Sequence, residues 1–234
     1  MASITLARSI TGKASLFLAD ANQTRWSPAE LLSWLNDGQK EICNLVPNAN
    51  PFTETVVLTK GTKQQAPSDA LYINGFVRNM GVDGVTEGSI IRQVTRNFLN
   101  SFVANWPSAT PNTTVSHVAY DPADSNLDYY VYPPQPATGT SRIEIVYSKA
   151  PADIADLNTE TKITIRDIYA NALLDYVLYR AFGKDSEYGN QSERSQMHYK
   201  MFSQAIGIKY TIEKAENAGY LHTGEKQQQA NAPQ

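Results

Sequence analysis

One change of periodicity governs what this chain can fold into: apolar residues recur at helical spacing near both ends and enclose about a hundred residues of strand texture. From Phe52 to about Pro151 the sequence is rich in Thr, Val, Tyr, Gly and Pro, in short runs separated by turn residues. The pattern predicts an α+β fold. A discontinuous helical domain is expected from both chain ends, over 1–50 and 152–212. An antiparallel β module is expected over 51–151, inserted between them, and an extended tail over 213–234.

The sharpest local signal opens at Ser27. Ser27 and Glu30 read as a capping box, with Pro28 at the first helical position, where its missing N–H costs nothing. Trp26 and Leu31 are placed for a hydrophobic staple. Leu31, Leu35, Ile42 and Leu45 mark one stripe, and Pro47 stops the helix. Nearer the N-terminus, Leu6, Ile10 and Phe17 share a helix face. Arg8, Lys13 and the lack of acids there resemble a transit peptide, but the spacing favours a structural helix.

After Thr164, the residues Ile165, Ile168, Tyr169, Ala172, Leu173, Tyr176, Val177 and Tyr179 cover nearly the whole circumference of one helix, which ends at Gly183. A helix apolar all round is buried on several sides. It lies either at the centre of a helical layer or partly under a neighbouring subunit. A last helix from about Gln191 to Lys214 carries Tyr199, Phe202 and Ile206 on one side.

Within the β region, Thr55 to Thr59 and the residues after Gly61 read as a hairpin. Val115 to Tyr120 and Asp128 to Tyr132 flank a polar turn, and Arg142 to Tyr147 alternates as a half-buried strand with Ile143, Ile145 and Tyr147 on one face. Thr95 to Asn105 interrupts with a short helix bearing Phe98, Leu99 and Phe102.

The chain has 234 residues, 41% of them hydrophobic, enough for a real core. A net charge of -3 argues against a surface that grips nucleic acid. The single cysteine, Cys43, excludes an internal disulfide framework and reads as a small buried hydrophobe. No run approaches the ~20 apolar residues that cross a bilayer, so no membrane association is expected.

Signals for chemistry are sparse. His117, His198 and His222 lie in a strand, a helix and the tail, without metal-ligand spacing, and no metal or cofactor is expected. Gly81, Gly84 and Gly88 suit close turns better than phosphate binding. Asp121, Asp124 and Asp128 lack the central glycine and terminal glutamate of a calcium loop, and read as a hairpin turn. Tyr129, Tyr130 and Tyr132 before Pro133 and Pro134 could stack bases, but no flanking Lys or Arg follows them in sequence. A hydrolytic enzyme would need a carboxylate pair in a cleft, and Asp121, Asp124, Glu144 and Asp175 all have ordinary turn, strand or helix explanations.

Four blocks carry a family resemblance: RWSPAELLSWLNDGQKEICN at Arg25 to Asn44, VRNMG at Val77 to Gly81, YVYPP at Tyr130 to Pro134, and DIYANALLDYVLYRAFGKDSEY at Asp167 to Tyr188. Over about residues 4–210 the chain resembles the head-to-tail adaptors of tailed bacteriophages, also called connectors or tail tubular protein A-like proteins. The resemblance implies a non-enzymatic virion subunit at the head–tail junction, assembled in the host cytoplasm. It further implies a homomeric ring, usually of about twelve copies, clamped beneath the portal and followed by the tail nozzle or tube. DNA would pass through the lumen without sequence-specific binding. On this reading Tyr169, Leu173, Tyr176 and Tyr179 are candidates for the ring interface, and Tyr220, Leu221 and His222 for docking on the portal or a neighbouring subunit. Head-completion, tail-terminator and decoration proteins of the virion are the alternative roles.

Overall fold

The computed structural model describes residues 5–121, 127–137, 140–158, 160–185 and 189–230, with side chains described as far as Thr211. Contacts divide the chain into two units, Met1–Ala49 with Pro151–Gln234, and Asn50–Ala150. The elements run α1 (Ala7–Phe17), α2 (Pro28–Leu45), β1 (Pro51–Val57), β2 (Gly61–Gln65), β3 (Ala70–Met80), β4 (Glu87–Ile90) and β5 (Arg92–Val94). They continue as α3 (Arg96–Phe102), β6 (His117–Tyr120), β7 (Asp128–Gln135), β8 (Arg142–Lys149), α4 (Ala170–Lys184) and α5 (Gln191–Ala230). The fold is α+β.

The start of α2 follows its sequence. The Glu30 N–H donates to Ser27 Oγ at 3.3 Å, and the Ser27 N–H donates to Glu30 Oε2 at 3.1 Å. The same carboxylate meets Lys184 at 2.5 Å, which with the Ser27 N–H holds its pKa below the ordinary value. Just before the cap, Asp20 accepts the backbone N–H groups of Trp26, Arg25 and Thr24 at 3.0, 2.9 and 3.0 Å. Trp26 is buried, and its indole N–H donates to the Ala181 carbonyl of α4 at 3.2 Å. Leu31, Leu35 and Ile42 point inward as expected, but Leu45 is exposed and Val46 takes its place in the core. Phe17 is likewise exposed, because α1 buries the small face of Ala7, Ile10, Thr11 and Ala14.

Helix α4 is the centre of the helical unit, with α1, α2 and α5 packed around it. This explains its apolar circumference within one chain. At the α2 crossing, the Tyr176 ring packs so closely on Gly38 that a Cβ there would lie 2.9 Å from a ring carbon. Ser195 of α5 donates to the Tyr179 carbonyl at 3.0 Å, and His198 meets Asp175 at 2.9 Å. The segment leading into α4 is held on α2 by side-chain amides. Asn36 exchanges two hydrogen bonds with the Ile154 backbone, both at 3.0 Å, and buried Gln39 accepts the Thr164 N–H at 2.7 Å. The expected extended tail continues instead as helix through Ala230. Glu, Lys, Ala and Gln dominate there, all favourable helix residues.

In the β unit, two four-stranded sheets, ordered β1-β8-β3-β4 and β2-β7-β6-β5, face each other across one core. Ile143, Ile145 and Tyr147 of β8 and Val118, Tyr129 and Val131 of the second sheet fill it. The expected hairpin between β1 and β2 does not form. β1 pairs with β8, and β2 with β7. The chain instead bends between the two sheets at buried Leu58. Gln64 braces this bend: its Oε1 accepts the Thr59 N–H at 2.7 Å and its Nε2 donates to the Thr59 carbonyl at 2.8 Å. β4 and β5 make a second such bend at buried Ile91. Strand pairing runs from β4 through β3 and β8 to β1 in one sheet and from β2 through β7 and β6 to β5 in the other, and the chain itself closes the circuit at the β1–β2 and β4–β5 bends.

The module is not purely antiparallel. β5 and β6 are parallel, with Arg92 opposite His117 and Val94 opposite Ala119. A parallel pair needs a crossover, and α3 with the short 3-10 turn at Trp106–Ser108 supplies it. The expected strand pair around the polar turn is present, with His117 opposite Tyr132 and Tyr120 opposite Tyr129. Buried Asn79 joins the two sheets: its Oδ1 accepts the Val115 N–H and its Nδ2 donates to the Val115 carbonyl, both at 2.7 Å.

Candidate functional site

Two of the four acids considered for hydrolysis are engaged structurally, as is Asp128 of the calcium-loop candidates. Glu144 pairs with Arg78 at 3.0 Å, Asp175 holds His198, and Asp128 pairs with Lys63 at 2.7 Å. Asp124 lies outside the described residues, and Asp121 is exposed at the end of β6. Among the described residues no group of His, Cys, Asp and Glu is arranged to hold a metal ion. Burial pushes the Cys43 thiol up to about 12, which keeps it in the thiol form at neutral pH. Gly81 and Gly84 shape the β3–β4 turn, where Asp83 accepts the Val85 and Thr86 N–H groups at 3.0 and 2.9 Å, and Gly88 lies within β4. That loop is built for a turn, with Gly84 at φ +73°.

The candidates for a ring interface separate. Tyr169 and Leu173 are fully buried and Tyr176 nearly so, all inside the helical unit, because α4 is already surrounded by its own chain. Within one chain these three offer little free surface. Tyr179 is half-buried, its ring tilted against that of Tyr199 with centroids 5.0 Å apart, and keeps surface beside Trp34, Arg180 and Lys184. The apolar side chains that this unit leaves exposed include Leu16 and Phe17 at the end of α1, Leu45, Ile168, and Met197, Met201 and Ile208 on α5. Met197, Met201 and Ile208 fall at i, i+4 and i+11, within one narrow face of α5. Phe202 and Ile206, which face α4, are buried. Tyr220, Leu221 and His222 lie on the α5 backbone but outside the described side chains.

Tyrosines 129, 130 and 132 do not form one surface. Tyr129 is in the core between the sheets, while Tyr130 and Tyr132 face the other side of β7. There α3 and the 3-10 turn cover the sheet with Leu99 and Trp106 against Ala119. Two arginines that sequence order keeps well apart from the tyrosines reach this side. The Arg96 guanidinium sits 4.4 Å from the Tyr130 ring centroid, and Arg92 stands beside His117. Partial burial and the Arg92 charge together lower the His117 pKa. Parallel pairing of β5 with β6 makes this juxtaposition, so periodicity alone gave no sign of it.

No described helix is long and apolar enough to cross a membrane. The sequence matches the family model for the SU10 adaptor protein over residues 5–224. No curated protein matches it.

Proposed function

The chain belongs to the SU10 adaptor protein family, a family of phage head–tail adaptors, and from that premise we propose that copies of it assemble into a ring between the portal and the tail nozzle or tube, through which DNA passes. The family is structural rather than enzymatic. The observation that carries the ring reading is the apolar strip Met197, Met201 and Ile208 on α5, together with Leu16 and Phe17, left uncovered by a helical unit whose own core is full. Two distinct patches on one unit suit the head-to-tail contacts from which closed rings are made.

A ring of about twelve copies, the number the family resemblance implies, multiplies a modest negative charge around its lumen and disfavours phosphate contacts. DNA then slides instead of sticking. The segment bearing Tyr220, Leu221 and His222 docks on the portal or on a neighbouring copy. Removing Ala218 to Gln234 is expected to leave the fold intact and abolish portal attachment.

The test is native mass of the full chain, alone and after mixing with portal rings from the same genome. A portal complex carrying about a dozen copies supports the reading, and Met201→Asp should then reduce the copies bound. A chain that stays monomeric and ignores the portal overturns it, and favours a head-completion, tail-terminator or decoration role.

A further inference from the structure

The side of the second sheet that faces away from the core carries an aromatic and cationic strip which the β unit leaves open. Phe102, 74% exposed, stacks on Phe98 with ring centroids 4.6 Å apart. Phe98 stands 6.2 Å from His117, and His117 stands 6.2 Å from Tyr132. Arg92 flanks His117 from β5, and Arg96 lies over Tyr130. Both arginines are exposed, and neither is ion-paired among the described residues. A hollow lined by Thr95, Arg96, Asn97, Tyr120 and Asp121 adjoins them.

We propose that this strip docks an acidic, extended segment of a partner protein, with apolar side chains resting on Phe98 and Phe102 and carboxylates paired with Arg92 and Arg96. Packing of α3 does not account for the strip, since Leu99 and Trp106 already fill the small core beneath it. Aromatic side chains with arginine are the composition that carries binding energy at protein interfaces. Two exposed arginines with no ion pair among the described residues, on a chain of net charge -3, favour a partner segment of opposite charge at this face.

Nucleic acid fits less well. Two arginines are too few to follow a phosphate backbone, and Asp121 shares the hollow with Arg96. The proposal does not depend on ring formation, since the strip is complete within one chain.

Anisotropy of a fluorescent peptide of alternating Glu and Phe, titrated with the full chain, tests it beside the Lys–Phe counterpart and a single-stranded oligonucleotide. The acidic peptide is expected to bind at least roughly tenfold more tightly than the basic one. Arg92→Glu with Arg96→Glu should abolish that preference, and Phe102→Ala should weaken binding about tenfold. Should the reversed pair fail to fold, Arg92→Gln with Arg96→Gln gives the same reading. Equal binding of the two peptides, no binding, or a preference that survives the arginine substitutions overturns the proposal. Tighter binding of the oligonucleotide overturns it in favour of a nucleic-acid surface.

Discussion

Replacing Asn79 by alanine leaves the Val115 N–H and carbonyl, both buried between the sheets, without the partner that now satisfies them. Each orphaned group costs roughly 1–3 kcal/mol. Asn79→Ala is therefore expected to lose about 3 kcal/mol in urea unfolding, and a loss under about 1 kcal/mol would show that Val115 finds other partners. Asp20 gives a pH test. Backbone hydrogen bonds from Trp26, Thr24 and Arg25 hold its pKa at about 2, below the ordinary 3.8. The unfolded chain thus takes up this proton first. The contribution of Asp20 is complete above pH 3.8 and is lost as pH falls toward 2. Asp20→Asn should flatten stability through that acid window, as followed by circular dichroism. Neither role was legible in the sequence, where Asn79 and Asp20 sit among many polar residues. Both depend on where distant or looping backbone arrives.

At the scale of elements, the crossing of α2 and α4 turns on Gly38. Alanine is the better helix former by about 1 kcal/mol. Its Cβ, however, would stand 2.9 Å from Tyr176 and 3.1 Å from Leu173. Overpacking of this kind costs about 1–3 kcal/mol, so Gly38→Ala is expected to lower the thermal midpoint. A raised midpoint would show that the two helices can move apart. The α2 start was readable because a capping box is local, and α4 was readable as a buried helix because its apolar residues go all the way round. The burial of Leu45 and Phe17 was misread, since their spacing fits a stripe that the neighbouring helices do not cover. The β1–β2 pair failed for a related reason. Lys60 and Gly61 look like a hairpin turn, yet buried Leu58 and the Gln64 brace commit the two strands to different sheets.

At the scale of the whole molecule, the β unit leaves and rejoins the helical chain at one place. The Lys149 N–H donates to the Asn50 carbonyl at 2.9 Å, and the Asn50 side-chain amide donates to the Lys149 carbonyl at 2.9 Å. With its own core between two sheets joined by chain bends at both ends, the fragment 50–150 should fold when expressed alone. A cooperative thermal transition by circular dichroism would support this, and a disordered spectrum would count against it. Helical ends around a β middle were legible because the two periodicities differ so plainly. The closed circuit was not, since no local pattern reports that β1 and β2, or β4 and β5, turn a corner together.

The shared root also sets how the module responds to force. β1 and β8 are antiparallel neighbours that begin and end at that root, with Pro51 opposite Ser148 and Val57 opposite Arg142. Tension that draws the two connections apart falls first on the rung nearest Pro51 and then on each rung in turn, as in opening a zipper. Load directed along the strands is instead shared by all the rungs at once. The module is thus mechanically soft to separation at its base and stiff along its length.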